Sequence, residues 1–295
     1  MNTVAIIGTG NMGAPMALNL ANAGINVRAY DIDEAKLDPL TPHGVIAASD
    51  HQDALDTANM CITMLPTHVE VLDVFEHFIQ PSGGNMIWID SSTIDLNVAV
   101  ELHDSASAVG IKMLDAPVSG GTNGARTGTL SFMVGGSEDV LSASMTVLKA
   151  MGSKIVHCGD GGMGQAAKMC NNLMLGIQMV SVAEGFRLAQ QVGLRESVLF
   201  DVASASSGNC FALQTFCPVE GLVPHAPSTR GFQPGFSAAL MHKDMNLALN
   251  AATAAGLELP LAPEAASLYA KMIANGDDEK DFSAVIELMP QTGNT

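Results

Sequence analysis

A glycine-rich turn near the start of the chain constrains its fold more than any other feature. Gly8, Gly10 and Gly13 follow the apolar run Val4–Ile7 and open a segment with helical spacing. The first glycine permits a tight turn, the second lets a ligand approach the backbone, and the third permits close packing of helix on strand. Because the amino end of such a helix binds phosphate groups, the turn predicts a strand–turn–helix unit that holds a dinucleotide.

The next predicted strand ends at an acidic residue, Asp31, which lies 18 residues beyond Gly13. Glycine-rich turns are common, but strand, turn, helix and this second strand agree with one another and indicate a dinucleotide site. A carboxylate there accepts hydrogen bonds from a ribose 2′-hydroxyl and repels a 2′-phosphate. Residues 32–34 supply no arginine that would neutralise a phosphate, so the sequence predicts NAD rather than NADP. Asp31 could also cap the following turn, and the two roles are compatible.

Length and composition exclude several classes of protein. The 295 residues are enough for two domains, and 47% hydrophobic against 15% charged residues exclude a disordered or fibrous chain. The net charge of −17 argues against nucleic acid and anionic membranes as partners. Scattered cysteines predict the reduced thiols of a cytoplasmic protein, and histidines without ligand spacing predict no metal. We expect no signal peptide and no membrane span, which needs an apolar run of ~18 residues.

The first half of the chain alternates between apolar runs and segments with helical spacing, which predicts a doubly wound parallel sheet with right-handed crossovers. The sequence predicts helices at Pro15–Ala23 and at Val69–Phe78, and the second of these should end before Pro81. Seven strands are predicted, at Val4–Ile7, Val27–Tyr30, Met60–Leu65, Met86–Asp90, Lys112–Ala116, Ser131–Val134 and Lys154–Cys158.

The second half of the chain is predicted to be helical. The segment Gly159–Gly164 indicates a flexible joint, and the apolar stretch from Gln165 to Val192 predicts one long helix that must be covered on every side. We therefore expect an α/β domain at residues 1–162 and an all-α domain at 163–295, joined by a long helix at about 165–192. Further helices are predicted at Glu196–Ser204, Ser237–Ala255, Pro263–Asn275 and, shorter, Phe282–Leu288.

Candidate catalytic residues lie on the predicted long helix. Lys168 and Asn172 are one helical turn apart, so they face the same way. Burial should lower the pKa of Lys168 towards the range of a general acid or base, which a hydride transfer needs for the matching proton. The alternative is a lysine that extends to solvent. Lys243 is a second candidate, although its neighbour Asp244 could form a merely structural salt bridge with it.

A segment of small residues follows the strand end at Asp115. Within it, Ser119 and the amides of Gly120 and Gly121 could hold a carboxylate without steric hindrance. Taken alone, this segment could equally be only a turn.

Four motifs in matching order resemble the β-hydroxyacid dehydrogenase family, and most closely its 3-hydroxyisobutyrate dehydrogenases. The resemblance runs from Val4 to about Met289. The motifs are Ile6–Ala17, Asp115–Gly121, Gly124-Ala125 with Gly128–Leu130, and Gly164–Lys168 with Asn171-Asn172. Looser similarity to the hydroxyisobutyrate enzymes lies in segments 217–219, 226–228, 231–236 and 280–285.

The resemblance implies a Rossmann-like domain joined by a long helix to an all-helical domain, in a homodimer or homotetramer. It implies NAD-dependent oxidation of a small 3-hydroxy acid, 3-hydroxyisobutyrate, to methylmalonate semialdehyde in valine breakdown, with Lys168 as the catalytic acid/base. Ser119, Gly120 and Gly121 would hold the substrate carboxylate, with Asn172 orienting the substrate and Lys243 near both substrate and nicotinamide. The implied cofactor site comprises Gly8, Thr9, Gly10, Asn11, Met12, Gly13, Asp31, Leu65, Pro66, Thr93 and Lys243.

Three residues depart from the family pattern. Arg230 stands where asparagine is usual, Phe232 where tyrosine is common, and Glu70 where an asparagine often touches the cofactor. Arg230 could indicate a different substrate tail or only a surface substitution. A reductase of tartronate semialdehyde or succinate semialdehyde, with the same catalytic residues, is an alternative. A non-catalytic NAD-binding module is another, but such a protein would be expected to lack Lys168 or the Ser119 loop.

Overall fold

The described residues of the first of the two units into which the chain divides form one sheet of nine strands. The computed structural model describes residues 3–84 and 86–289, and the division falls between Lys168 and Met169. The strands are β1 (Thr3–Ile7), β2 (Asn26–Tyr30), β3 (Ile46–Ala47), β4 (Met60–Thr63), β5 (Ile87–Asp90), β6 (Lys112–Asp115), β7 (Val118–Ser119), β8 (Leu130–Gly135) and β9 (Gly152–Gly159). The seven predicted strands are all present, and the two-residue strands β3 and β7 are additional.

Six of the strands form a parallel sheet in the order β3-β2-β1-β4-β5-β6. From β1 the chain adds strands outwards to one edge of the sheet, and from β4 it adds them outwards to the other edge. Ligands of such sheets bind at the carboxyl ends of the strands where the order reverses, which is between β1 and β4. The predicted doubly wound parallel sheet is confirmed from β3 to β6, whereas beyond β6 the prediction does not hold, because β8 runs antiparallel to β6 and β7. Only residues 120–129 connect β7 to β8, and a parallel pair needs a crossover of about a dozen residues or more.

Helices cover both faces of this sheet. Side chains that alternate along β1 enter different cores: Val4 and Ile6 contribute to one, and Ala5 and Ile7 to the other. Helices α1, α6 and α7 supply the first core, whereas α2, α3 and α5 supply the second. The bounds are α1 (Gly13–Asn22), α2 (His51–Leu55), α3 (His68–Val74), α4 (Gln80–Ser82), α5 (Leu96–Ala108), α6 (Gly121–Thr127) and α7 (Glu138–Met151), with 3₁₀ turns at Glu34–Lys36 and Thr41–His43.

Pro81 does not end the helix that precedes it, contrary to the prediction. A π-helical turn at Phe75–Ile79 connects α3 directly to α4, and Pro81 lies in the first turn of α4. Proline in a regular helix clashes with the carbonyl of the preceding turn and lacks an amide hydrogen. The wider π turn relieves this conflict, because the hydrogen-bond pattern is already shifted there.

The second unit is built from helices. Helix α8 (Met163–Gln191) begins in the first unit and contributes residues 169–191 to the second. The other helices are α9 (Glu196–Ser204), α10 (Phe211–Phe216), α11 (Ala238–Ala254) and α12 (Ala262–Ala274), with a 3₁₀ turn at Pro227–Arg230. The last predicted helix, Phe282–Leu288, is present with 3₁₀ rather than α geometry.

Helix α8 packs closely within the second unit along one stripe. The Tyr269 hydroxyl donates to the carbonyl oxygen of Gly176 at 2.9 Å, and a methyl group on Gly176 would lie 2.6 Å from the Met245 sulfur. The expectation that α8 is covered on every side is wrong for the single chain. Met174 and Leu188 on this helix remain 61% and 64% exposed, because no described part of the chain packs over them.

Two glycines of α8 provide a matched test of this packing. A Cβ on Gly176 would lie 2.6 Å from Met245 Sδ and 3.1 Å from Met241 Sδ, whereas Gly185 has no neighbouring atom within 4 Å. Alanine is favoured over glycine in a helix by roughly 0.5–1 kcal/mol, so Gly185→Ala should raise the free energy of unfolding by about that amount. Gly176→Ala should instead lower it by about 1–3 kcal/mol, because buried methionines must shift. Denaturation followed by circular dichroism measures both, and equal shifts from the two variants would contradict the close packing.

Candidate active site

The glycine-rich turn after β1 has the geometry that a dinucleotide requires. Gly8 has φ +94°, and a Cβ there would lie 2.4 Å from the Met64 carbonyl oxygen. A Cβ on Gly13 would lie 1.9 Å from the Gly8 carbonyl oxygen, so helix α1 begins directly against the turn. Gly10, by contrast, is exposed with no atom near its missing Cβ. The turn thus leaves the backbone at Gly10 open to a ligand at the amino end of α1, which fits the pyrophosphate of a dinucleotide.

Asp31 follows β2 at the same edge of the sheet and is held by four hydrogen bonds. Thr9 donates to it through its backbone amide at 2.7 Å and its hydroxyl at 3.2 Å. The amide of Asp33 and the ammonium of Lys36 donate to its other oxygen at 3.0 and 3.2 Å. Burial by itself raises the pKa of Asp31, but these bonds outweigh it, and the pKa lies below its ordinary value. The carboxylate is therefore a stable anion able to accept from a hydroxyl. Asp33, not Asp31, provides the side-chain cap of the 3₁₀ turn.

The predicted residues Leu65, Pro66 and Thr93 lie in loops at the carboxyl ends of β4 and β5. The strand predicted over Met60–Leu65 ends at Thr63, so Leu65 belongs to the loop. The Leu65 side chain reaches within 3.0 Å of a Cβ built on Gly8, and its amide donates to the Ser92 hydroxyl at 2.9 Å. The structure thus brings the β1, β4 and β5 loops together at one edge of the sheet. Thr9 is buried there, whereas Asn11 is exposed and Met12 is partly buried.

A buried carboxyl group, Asp90, lies beneath these loops. It accepts hydrogen bonds from the Thr63 hydroxyl at 2.7 Å and from the Ser92 amide at 3.2 Å. The Trp88 indole in turn donates to the Thr63 hydroxyl at 3.0 Å. Complete burial raises the pKa of Asp90 to about 6, against the lowering effect of these bonds. Its second oxygen and the Ser91 hydroxyl accept no bond from the described residues.

The first turn of α8 is fixed by hydrogen bonds to the ends of two strands, β6 and β5. Asp115, at the end of β6, accepts from the backbone amides of Gly162 at 2.8 Å and Gln165 at 2.9 Å. The Gln165 side chain is also buried: it donates to the Ser92 carbonyl at 2.8 Å and accepts from the Ile94 amide at 3.2 Å. The predicted flexible joint at Gly159–Gly164 is thus tightly held. A Cβ on Gly164 would lie 2.4 Å from a backbone oxygen of Met133, so this glycine serves close packing rather than flexibility.

Lys168 lies one turn further along α8 and is buried, with 7% of its surface exposed. Its ammonium donates to the Val118 carbonyl oxygen at 2.8 Å. The alternative in which this lysine extends to solvent is therefore wrong. Val118 immediately precedes Ser119, and Gly120 adopts φ +125°, a conformation that favours glycine. The structure thus places the ammonium beside the loop of Ser119, Gly120 and Gly121.

In the second unit, Asn172 and Lys243 share a carboxylate. Asn172 is 2% exposed and its side-chain amide donates to Asp244 at 2.6 Å. The Lys243 ammonium lies 3.8 Å from the other oxygen of Asp244, so the salt bridge considered for it is present. Asp244 is itself buried in α11, which explains why it takes two partners. The sequence named Asp244 only as a neighbour of Lys243, and nothing in it indicated the bond to Asn172.

Two of the three departures from the family pattern have a local structural role. Glu70 forms a capping box with Thr67 at the start of α3, in which the Thr67 amide donates to the carboxylate at 3.0 Å. This Thr-x-x-Glu spacing could have been recognised in the sequence. Arg230 is exposed, and its guanidinium donates to the Gln233 carbonyl at 3.4 Å. Phe232 has φ +57°, and nothing in the structure explains why phenylalanine stands there.

No group of three or more histidine, cysteine, aspartate or glutamate side chains that could hold a metal ion occurs in the described part of the chain. None of the helices within residues 3–84 and 86–289 is long and apolar enough to cross a membrane.

Comparisons with known proteins agree along the whole chain. The family described as the NAD binding domain of 6-phosphogluconate dehydrogenase matches residues 3–159. The family described as NAD-binding of NADP-dependent 3-hydroxyisobutyrate dehydrogenase matches residues 162–289. A probable 3-hydroxyisobutyrate dehydrogenase of Mycobacterium tuberculosis is 46% identical over 289 residues, which are 98% of each chain.

Two further similarities concern L-serine. An NAD-dependent L-serine dehydrogenase of Pseudomonas aeruginosa is 41% identical over 296 residues, which cover 99% of each chain. The solved structure of a Mycobacterium tuberculosis 3-hydroxyisobutyrate dehydrogenase with L-serine has a TM-score of 0.94 at 45% identity, covering 99% of this chain and 100% of that one.

The buried carboxyl of Asp90 should make the stability of the first unit depend on pH. Its folded pKa of about 6 exceeds its ordinary value of 3.8, so the folded state binds more protons between these values. The stabilisation from the neutral carboxyl is complete below about pH 4 and is lost as the pH rises through about 6. Relative to Asp90→Asn, the wild type should lose about 3 kcal/mol of unfolding free energy at most across this window. Urea denaturation followed by Trp88 fluorescence measures it, and a constant difference between pH 4 and pH 6 would contradict the assignment.

Proposed function

Because the chain belongs to the β-hydroxyacid dehydrogenase family and resembles its 3-hydroxyisobutyrate dehydrogenases, we propose that it catalyses the NAD-dependent oxidation of 3-hydroxyisobutyrate to methylmalonate semialdehyde. The family match makes it an oxidoreductase that uses a nicotinamide dinucleotide. The observation that carries the substrate proposal is the buried ammonium of Lys168 beside Ser119, in a chain 46% identical to a probable enzyme of that name. We further propose a role in valine breakdown.

The cofactor is proposed to bind at the carboxyl ends of β1, β2, β4 and β5. Gly8, Thr9, Gly10, Asn11, Met12 and Gly13 would hold the pyrophosphate, Asp31 the adenosine ribose, and Leu65, Pro66 and Thr93 would line the remainder. Asp31 supports a preference for NAD, because its ionised carboxylate accepts from a 2′-hydroxyl and repels a 2′-phosphate. When bound, NAD accepts the hydride from the carbinol carbon of the substrate.

Lys168 is proposed to take the proton of the substrate hydroxyl as the alcohol becomes an aldehyde, a step that requires its amine in the neutral form when the substrate reacts. Its position supports this role, because a general base must lie within hydrogen-bond reach of the proton that it takes, and Lys168 lies beside the loop proposed to bind the substrate. The Val118 carbonyl orients the amine through its 2.8 Å bond. Ser119 and the amides of Gly120 and Gly121 are proposed to bind the carboxylate, which the reaction leaves unchanged.

The roles of Asn172 and Lys243 remain proposals. Asn172 is proposed to orient the substrate, and its bond to Asp244 supports this because it fixes the amide plane. Lys243 is proposed to contact the substrate and the nicotinamide. The domain limits of 1–162 and 163–295 likewise stay a prediction.

We also propose that the protein forms a homodimer or homotetramer. Apolar side chains of the second unit that remain largely exposed, including Met174, Leu188 and Val192, support this proposal. Light scattering coupled to size-exclusion chromatography should give a mass of two or four chains, and a monomer at micromolar concentration would refute it. We propose a cytoplasmic location as well. The five free cysteines support it, because cytoplasmic proteins keep their thiols reduced, and cell fractionation tests it.

Oxidation of L-serine is the second candidate. It is favoured by the 41% identity to an L-serine dehydrogenase and by the solved relative that contains L-serine. L-serine has the same carboxylate and primary alcohol on one carbon, but carries an ammonium group in place of the methyl group. The semialdehyde reductases considered above use the same residues, and a non-catalytic NAD-binding module would not need a buried lysine at residue 168.

Replacement of Lys168 should separate catalysis from cofactor binding. We expect Lys168→Ala to lower kcat by about 10²–10⁴-fold, the usual contribution of a general acid or base, with little change in the Kd for NAD. Lys149→Ala, at an exposed position on α7, is the matched control and should retain activity. Stopped-flow and fluorescence titration measure the two quantities. A Lys168→Ala enzyme with more than about a tenth of the wild-type kcat would remove this residue from the mechanism.

Steady-state kinetics on three acids should identify the substrate. We expect kcat/KM for 3-hydroxyisobutyrate to exceed those for glycerate and L-serine, because a site for a methyl group must desolvate the hydroxyl or ammonium that replaces it. A methyl-sized pocket offers discrimination of about 1–3 kcal/mol, which is roughly 10–200-fold. A higher value for glycerate would instead indicate a semialdehyde reductase, and a higher value for L-serine an L-serine dehydrogenase.

A further inference from the structure

A lysine that the motifs do not include lies against the ribose-binding carboxylate. The Lys36 ammonium is 3.2 Å from an oxygen of Asp31. Residues 32–34, which follow the strand, contain no cation, but the chain then folds back through the 3₁₀ turn Glu34–Lys36. The Lys36 amide donates to the Asp33 carbonyl at 3.0 Å within this turn, which returns its side chain to the strand end.

Lys36 differs from the other partners of Asp31. Thr9 and Asp33 donate backbone amides whose positions are set by the turn and the strand end. The Lys36 side chain is 44% exposed, whereas that of Asp31 is 7% exposed, so the ammonium is the partner that can leave or share the carboxylate. A partly exposed ion pair of this kind contributes little to stability. Its charge therefore matters more for what binds next to it.

We propose that Lys36 is a specificity-determining residue of the cofactor site and that Asp31 neutralises its charge. This inference rests on the proposed placement of the adenosine ribose at Asp31. While Asp31 is present, its carboxylate neutralises the ammonium and repels a 2′-phosphate. Once the carboxylate is removed, the ammonium is the one cation among these donors, and it attracts a phosphate at the 2′ position. NAD preference is thus set by a pair of residues rather than by Asp31 alone.

Neighbouring charges limit the size of the effect. Asp33 and Glu34 lie on the same turn as Lys36 and repel a phosphate, although the Asp33 carboxylate is engaged with the Ala35 amide at 3.3 Å. One charge-assisted hydrogen bond between a lysine and a phosphate is worth about a tenfold change in affinity, or somewhat more. We therefore expect a measurable gain for NADP rather than a complete exchange of preference.

The test measures cofactor binding, in the absence of substrate, for a series of single and double variants. Kd values for NAD and NADP are measured by calorimetry for the wild type, Asp31→Ser, Lys36→Met and the double variant. Asp31→Asn serves as a second, isosteric variant in case Asp31→Ser does not fold. Lys112→Met in the Asp31→Ser background is the matched control, because it removes the same charge at the amino end of β6, the opposite edge of the parallel sheet.

We expect Asp31→Ser and Asp31→Asn to bind NADP about tenfold more tightly than the wild type. Adding Lys36→Met should abolish this gain, whereas adding Lys112→Met should keep it. Equal NADP affinity with and without Lys36 in the Asp31→Ser background would overturn the inference, as would no gain in either Asp31 variant. A wrong substrate assignment would appear only in turnover and would leave these affinities unchanged. A wild type that binds neither nucleotide would overturn this inference together with the proposed cofactor site.

Discussion

The candidate site of the first unit depends on one buried carboxylate, that of Asp115. A charge without solvent is stable only when hydrogen bonds replace its hydration. The amides of Gly162 and Gln165 and the ring of His103 supply these bonds. Space for this arrangement exists because Gly135 carries no side chain; a Cβ there would lie 2.4 Å from the carboxylate. The strand end therefore determines where helix α8 begins, and with it the position of Lys168 one turn beyond the first turn of that helix.

The same bonds continue towards the glycine-rich turn. Gln165 joins the first turn of α8 to the backbone at Ser92, whose hydroxyl accepts from Leu65. Leu65 in turn lies against Gly8. A change in any of these buried polar groups would leave a partner unsatisfied, which usually costs more than the bond itself contributes. The start of helix α8, which carries Lys168, and the loops proposed for the cofactor are therefore joined by buried hydrogen bonds and one apolar contact.

Much of the fold could be predicted from the sequence, at the places where the signal is local. Apolar runs located seven strands, and an apolar stretch with helical spacing located α8 within two residues at each end. Signals that depend on tertiary structure were missed. The direction of β8 follows from a short connection, and the helix through Pro81 depends on a π turn whose pattern is not distinctive in sequence. The pairing of Lys36 with Asp31 was not predicted, because it depends on the 3₁₀ turn Glu34–Lys36 that returns the chain to the strand end.

The candidate residues show the same contrast between local signals, which the sequence carries, and tertiary contacts, which it does not. Motif matches included Asp115 and Gln165 but gave them no role, because the bonds that join them to each other and to Ser92 span 50 and 73 residues of the chain. From the sequence, Lys168 could be either buried or extended to solvent. The bond to the Val118 carbonyl, 50 residues away in the chain, distinguishes the two. Spacing along a helix predicts which side chains share a face, but it does not predict which residues of other elements contact that face.

The division between the two units falls inside helix α8, at Lys168 and Met169, and not in a loop. Proteases cleave chains that can open locally over several residues, and hydrogen-bonded helical backbone resists such opening. At this division the described chain therefore offers no linker at which limited digestion would release the two units. Expression of either half alone would cut a helix in two and leave the second half without the carboxylate that begins it.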